Sequence, residues 1–167
     1  MNPFIKSWQR LNIFIDTQNV YHSARNLYDA KVDFGKLVNL LTSGRNLINA
    51  FAYVVQSELT QRELDFFEAL IKNGIRLRAK ELLVYPDGTK KADWDVGIAV
   101  DVVKFSELVD VVVLVTGDGD FLPLVEYLQN KGKQVEIAGF AATTSIKLKE
   151  AADFYYDLGE FKKMILI

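Results

Sequence analysis

The chain has 167 residues, half of them hydrophobic, with a formal net charge of -2, one histidine and no cysteine. That length fits one domain with a sizeable core, and the acidic balance argues against a broad basic surface that coats nucleic acid, leaving room only for a small basic rim. Without cysteine there are no disulfides or thiolate metal sites, and a lone His22 excludes a histidine-rich zinc centre.

Residues 11–16 read as a short apolar strand that ends in Asp16. Helices are expected over 19–29 and 33–42, the second with Asp33 as N-cap. Residues 47–56 form a second strand. A helix follows over 60–73, with an apolar stripe of Leu64, Phe67, Leu70 and Ile71 and Gly74 closing it. A third strand covers 75–79. Residues 82–91, with Pro86-Asp87-Gly88 in the middle, suggest a hairpin or protruding loop. A helix over 95–104 leads to Val111-Val112-Val113-Leu114-Val115, apolar throughout and therefore a central strand buried on both faces. A helix over 121–129 tolerates Pro123 in its first turn. Strand 134–138, a short helix over 145–152 and a last short strand over 154–158 complete the pattern.

This alternation implies an α/β fold: three layers, α/β/α, around a mostly parallel central sheet of five or six strands. Residues 1–167 read as a single domain. Its last stretch, 159–167, is an apolar tail that either docks onto the core or meets a second subunit, which makes a homodimer possible. No apolar run approaches the roughly 18 residues of a membrane helix, and residues 1–10 lack the apolar segment of a signal peptide. A cytoplasmic protein is the simplest expectation.

Five aspartates, Asp16, Asp93, Asp95, Asp118 and Asp120, sit at strand or helix ends rather than on solvated helix faces. In an open α/β sheet, ligands bind outside the strands' C-terminal ends. If the strands before Asp16 and Asp118 are neighbours, their carboxylates converge, and carboxylates so close repel unless a proton or a cation intervenes. Mg²⁺ or Mn²⁺ fits such an all-oxygen set. A bound ion of this kind activates water and neutralises charge on a phosphodiester. The plainer roles are also open: Asp16 as a turn or cap residue, one of Asp118 and Asp120 as an N-cap, and Asp93 and Asp95 as acids at a helix start. Asp101 lies six residues after Asp95, about 240° around an ideal helix, so the two do not share a face.

Around these acids, Asn19 either caps the first helix or holds a substrate phosphate. Thr116 can donate its hydroxyl to the same site. Ser145 reads first as a helix cap and second as part of an anion site. Lys90 and Lys91, on the loop that feeds the acidic edge, are placed to meet a phosphate backbone. Arg76, Arg78 and Lys80 alternate along one side of a strand, with Arg76 and Arg78 read as ordinary solubilising charge. His22 has no evident partners.

Phe14-Ile15-Asp16-Thr17-Gln18-Asn19, Asp95-Val96-Gly97-Ile98-Ala99-Val100-Asp101 and Thr116-Gly117-Asp118-Gly119-Asp120-Phe121 together resemble the NYN domain, a member of the PIN-like nuclease superfamily that includes the LabA-type bacterial proteins. The resemblance covers residues 11–158. It implies a PIN-like fold, a divalent metal in the acidic pocket and cleavage of RNA, with Asp16, Asp95, Asp118 and Asp120 as catalytic and metal-binding positions and Asn19 matching the asparagine after the first strand. Where the family has a Lys-Gly pair, this chain has Ala92 and Asp93, and Thr116 and Gly119 stand where serines are common. The leading expectation is a metal-dependent ribonuclease acting on single-stranded RNA, with Asn19, Thr116, Lys90, Lys91 and Ser145 contacting substrate. The rival is a non-catalytic regulatory RNA-binding or protein-binding module that keeps the fold. A haloacid-type phosphatase is disfavoured because Gln18 stands where its second aspartate belongs.

Overall fold

Short apolar strands alternating with helices bury both faces of a parallel sheet, and that is the arrangement here. The computed structural model describes residues 1–57 and 60–167. In chain order the elements are β1 (Arg10–Asp16), α1 (Thr17–Tyr28), α2 (Phe34–Thr42), β2 (Asn46–Gln56), α3 (Gln61–Lys72), β3 (Arg76–Glu81), β4 (Leu83–Val84), β5 (Lys90–Lys91), α4 (Asp95–Ser106), β6 (Val111–Val115), α5 (Leu122–Asn130), β7 (Gln134–Gly139), α6 (Ile146–Ala151), β8 (Phe154–Asp157) and α7 (Lys162–Ile165). Six strands form one sheet in the order β3-β2-β1-β6-β7-β8, every neighbouring pair parallel. β4 and β5 form the expected hairpin.

The chain winds outward from β1 to β3, then crosses back to β6 and winds the other way. The reversal therefore falls between β1 and β6, and a crevice opens beyond their C-terminal ends. The strands' period of two divides the core. Leu11, Ile13, Ile15 and Val113 pack with Leu37 and Leu41 of α2 and Ile165 of α7. Phe14, Phe51, Val112 and Leu114 pack with Ile98 of α4, Leu128 of α5 and Leu148 of α6.

Local signals set the helix ends. Asp33 accepts a hydrogen bond from the Lys36 amide at 3.0 Å and Thr60 from the Glu63 amide at 3.3 Å. Gly74, at φ +74°, takes the left-handed turn beyond α3.

Two features refine the expectations. On α3, Leu70 is buried and Phe66 and Phe67 are half-buried, whereas Leu64 and Ile71 are exposed at 39% and 59%. The helix packs at the sheet's outer edge over β3, where one narrow strip is enough to meet Leu77. The tail takes the docking option: Ile165 is fully buried, and the Lys31 and Ile167 backbones exchange two hydrogen bonds of 2.9 Å.

One buried network has no signal in the sequence. Arg45 and Glu136 are both fully buried and joined by two bonds, Nη1 to Oε1 at 2.9 Å and Nη2 to Oε2 at 3.0 Å. Asn2 at 2.8 Å and Gln134 at 2.7 Å donate further bonds to the same carboxylate.

Candidate active site at the sheet edge

The crevice at the strand reversal is built from three short segments. Asp16 ends β1. One of its oxygens accepts the Asn19 amide at 3.3 Å and caps α1; the other accepts the Thr116 hydroxyl at 3.2 Å. The Thr116 oxygen in turn accepts the Asp118 amide at 3.2 Å. Asp118 caps the 3₁₀ turn Gly119–Phe121 by accepting the Asp120 amide at 2.9 Å. The cap roles are thus taken by Asp16 and Asp118, each with carboxylate capacity to spare. Asn19 caps nothing: its side-chain oxygen accepts the Gly117 amide at 2.9 Å and braces α1 against the turn after β6.

That turn is pressed against the loop before α6. A Cβ on Gly117 would lie 2.5 Å from the Thr143 carbonyl oxygen, and one on Gly119 would lie 2.8 Å from the Ser145 hydroxyl. Glycine at 119, in place of the family's serine, makes room for Ser145. Ser145 caps α6 by accepting the Leu148 amide at 3.4 Å, and its own amide donates to the Gly117 carbonyl at 2.9 Å.

Asp95 arrives from the other side as the first residue of α4. Its place is set by Trp94, whose ring nitrogen donates to the Val54 carbonyl at 2.8 Å and whose ring meets Tyr53 edge-on at 5.3 Å. Gly97 allows this, because a Cβ there would come within 2.6 Å of the indole. Asp93 accepts the Asp95 amide at 2.7 Å, so the acid standing in the family's glycine position closes the turn into α4.

Asp95, Asp118 and Asp120 each offer a carboxylate oxygen, and the three atoms lie within 4.8 Å of one another. Asp16 stands outside that trio, joined to it through Thr116 and repelled by Asp118 and Asp93. Burial chiefly, then the charges of Asp93 and Asp118, pushes the Asp95 carboxyl up to about 7. Burial raises Asp16 as well, against the Asn19 and Thr116 hydrogen bonds, which favour its ionised form. Among the described residues no lysine or arginine forms an ion pair with these acids. An all-oxygen set at this spacing, short of positive charge, fits a hard divalent cation.

Other residues fall outside the cluster. Asp101 accepts the Tyr53 hydroxyl at 2.9 Å and lies 3.2 Å from Arg78, as its helical angle requires. Lys90 and Lys91 are exposed on β5, paired with Val84 and Leu83, and make no hydrogen bond or ion pair to the acids among the described residues. Lys80 instead reaches the rim, donating to the Asp93 carbonyl at 2.9 Å. His22 is exposed and touches Tyr21. A cavity of about 800 Å³ lies beside the acids: it includes Thr17 and Gln18 and runs over Val54 to Phe66 and Phe67 of α3, and none of the four proposed ligands lines it.

The NYN domain profile matches residues 10–159. The chain is 27% identical to the low amplitude and bright protein LabA of Synechococcus elongatus, over 93% of this chain and 87% of that protein. It is 26% identical to the uncharacterized protein MJ0482 of Methanocaldococcus jannaschii, over 93% of this chain but 58% of that one. A crystal structure of VPA0982, a protein of unknown function from Vibrio parahaemolyticus, superposes with a TM-score of 0.88 at 30% identity, covering 98% of this chain and 99% of that one.

Proposed function

The chain belongs to the NYN domain family, and we propose that it is a divalent-metal-dependent ribonuclease that hydrolyses phosphodiester bonds of single-stranded RNA at the β1–β6 crevice. The observation that carries this reading is the trio Asp95, Asp118 and Asp120, drawn from two segments to within 4.8 Å without a basic partner among the described residues. Asp16, Asp95, Asp118 and Asp120 would hold Mg²⁺ or Mn²⁺. When bound, such an ion supplies Lewis acidity, an activated water and neutralisation of phosphate charge.

The protein's own groups do the positioning. Thr116 spends its hydroxyl proton on Asp16 and its lone pair on the Asp118 amide, so it locks the two carboxylates in register. Asn19 and Ser145 hold the Gly117 turn from opposite sides, and any contact they make with substrate is secondary to that bracing. Lys90 and Lys91, on a projecting hairpin, would meet the RNA backbone outside the crevice. The domain would act in the cytoplasm as one unit over 1–167; among the described residues no helix is long and apolar enough to cross a membrane.

A labelled single-stranded RNA incubated with the purified protein and Mn²⁺ tests the reading. Cleavage should appear with the ion, stop with a chelator, and be lost in Asp16→Asn and Asp118→Asn at unchanged circular dichroism. Cleavage that persists in both variants sinks it. Retained RNA binding with no cleavage by the parent protein would favour the non-catalytic module instead.

A further inference from the structure

β3 is one of the sheet's two edge strands, and on the α4 side its alternate residues are Arg76, Arg78 and Lys80, in register with Phe51, Tyr53 and Val55. α4 packs over β1 and β6, and this end of the sheet is sealed by the basic side chains instead. The Arg76 and Arg78 guanidiniums lie 5.9 and 5.4 Å from the Phe51 ring, which is fully buried. The Lys80 ammonium lies 5.6 Å from the Trp94 ring.

Contact with the rings holds these side chains, with the Arg78 Nε buried and the Arg76 and Lys80 ends outside. Arg76 and Lys80 are exposed, and the Arg78 side chain is 41% exposed. Asp101, paired with Arg78, is the one acid among the described residues that forms an ion pair with the row. Among the described residues Lys80 bonds only a backbone carbonyl, that of Asp93, two residues before Asp95. Three cations against one acid is an unusual balance in a chain whose net charge is -2. Residues two apart on a strand are about 6.6 Å apart, comparable with the repeat of an extended nucleic-acid strand. Among the described residues the Arg76 guanidinium has no ion pair, and Arg78 commits its Nε to Asp101 at 3.2 Å while its side chain stays 41% exposed, which leaves its terminal nitrogens for phosphate.

We propose that Arg76, Arg78 and Lys80 form a backbone track on which single-stranded RNA lies, one phosphate to each cation, as it runs along β3 past Trp94 into the carboxylate site. The inference rests on the ribonuclease reading of that site. Contacts to phosphate position a strand without reading its sequence, so the track sets affinity and direction rather than base preference. It also gives the enzyme a basic path that the projecting Lys90–Lys91 hairpin alone does not provide.

The test is fluorescence anisotropy of a labelled 12-nucleotide RNA on the full chain, in Asp118→Asn to prevent cleavage, across a salt series. The variant is Arg76→Gln with Lys80→Gln; Arg78 is kept because it holds Asp101. Removing one phosphate-binding cation should lower the salt slope by about 0.7, so the pair should lower it by about 1.4. Binding at low salt should weaken at least 10-fold, and in the cleaving parent background KM for the 12-mer should rise more than KM for a dinucleotide. Arg76→Lys with Lys80→Arg should restore the slope. A slope and affinity unchanged in the Gln pair, at an unchanged melting temperature, overturn the track. So does a weakening seen with a DNA 12-mer and not with RNA, or no detectable binding by the parent. Absence of cleavage by a parent that binds through these residues would fault the nuclease reading and leave the track standing.

Discussion

Two sets of buried or half-buried carboxylates in the molecule are treated in opposite ways. Glu136, in the middle of β7, is fully enclosed and is met by both Arg45 nitrogens, Asn2 and Gln134. At the C-terminal edge, Asp16, Asp95 and Asp118 are partly buried and mutually repelling; Asp16 accepts one amide and one hydroxyl, Asp118 accepts one amide, and the Asp95 carboxyl lies against that of Asp93. Buried charge is tolerated when it is paired and hydrogen-bonded. Glu136 shows that this fold supplies such a partner where an acid serves structure. Among the described residues the edge has no such partner, and the proposed cation site rests on that difference.

The sharpest way to break this contrast is to remove one acid from each place. Asp118→Asn should cut RNA cleavage by about 10³-fold, the scale on which loss of a preorganised charge-stabilising group is felt. Its melting temperature should hold or rise, because asparagine still caps the turn and one repulsion is gone. Arg45→Met should do the reverse. Leaving Glu136 buried without its cation should cost about 3–5 kcal/mol, or roughly 6–20 °C in melting temperature for a chain of this size. Mn²⁺ binding by the folded fraction should persist. Equal destabilisation by both variants would erase the distinction between structural and functional acid.

Proton and metal titration sharpen it further. Asp95 titrates near 7 in the folded chain and near 3.9 when unfolded. The folded state therefore holds its proton more tightly. The resulting stability is fully present below about pH 4 and is lost as pH rises through about 7. The metal-free protein should melt at progressively lower temperature from pH 5 to 8, and Asp95→Asn should flatten that slope. Added Mn²⁺ should raise the melting temperature most at the high end of the window, by about 2.7 kcal/mol of stability at 100 times its dissociation constant. A melting temperature independent of pH and of Mn²⁺ would argue that the cluster is already compensated.

How much of this is legible in the sequence follows the range of the interactions. The inner strands can be read because parallel strands buried on both faces are apolar runs, the edge strand β3 shows only as an alternation of Ile75, Leu77 and Ala79, and Asp16 and Asp118 stand out because each follows such a run. Asp95 is visible as an acid at a helix start. What cannot be read is what depends on distant partners. Arg45 and Glu136 are 91 residues apart. Asn19 looks like a cap, yet its partner is Gly117, 98 residues on. Arg76 and Arg78 look like surface charge, and the reach of Lys80 beside them to the Asp93 carbonyl shows only once β3 is placed at an edge of the sheet. The buried stripe on α3 is narrower than its pattern because periodicity gives a face and not its width. Leu64 and Ile71 belong to the apolar pattern but extend past the edge of the sheet.

Gly97 does carry a local signal, a glycine two residues inside a helix, where it is normally unfavourable. Gly97→Ala sets a helix gain of about 1 kcal/mol against an overpacking cost of about 1–3 kcal/mol, since the new methyl would meet the Trp94 ring at 2.6 Å. Stability should fall by up to about 2 kcal/mol. Cleavage should fall by up to about 10²-fold, because Trp94 sets where Asp95 stands and small misplacements are costly. Loss of stability without loss of rate would make Trp94 a packing residue only.

The smallest effect belongs to the opposite edge of the same two strands. Arg10 at the start of β1 holds Asp110, just before β6, through Nη2 to Oδ1 at 3.0 Å and Nε to Oδ2 at 3.2 Å. The pair is solvated, with the Arg10 side chain 54% exposed, and such pairs contribute little. The Arg10 guanidinium and amide hold the Asp110 carboxyl below the usual range. Its contribution is therefore present above about pH 4 and is lost as pH falls through the lowered folded value. Asp110→Asn should leave cleavage at pH 7 unaltered and melting nearly so, and its only trace should be a shallower loss of stability in acid. The β1–β6 pair thus has an acid at each end: Asp110 is held by an arginine and is expected to be dispensable, whereas Asp16, with no arginine paired to it among the described residues, is the one on which the proposed cleavage should depend.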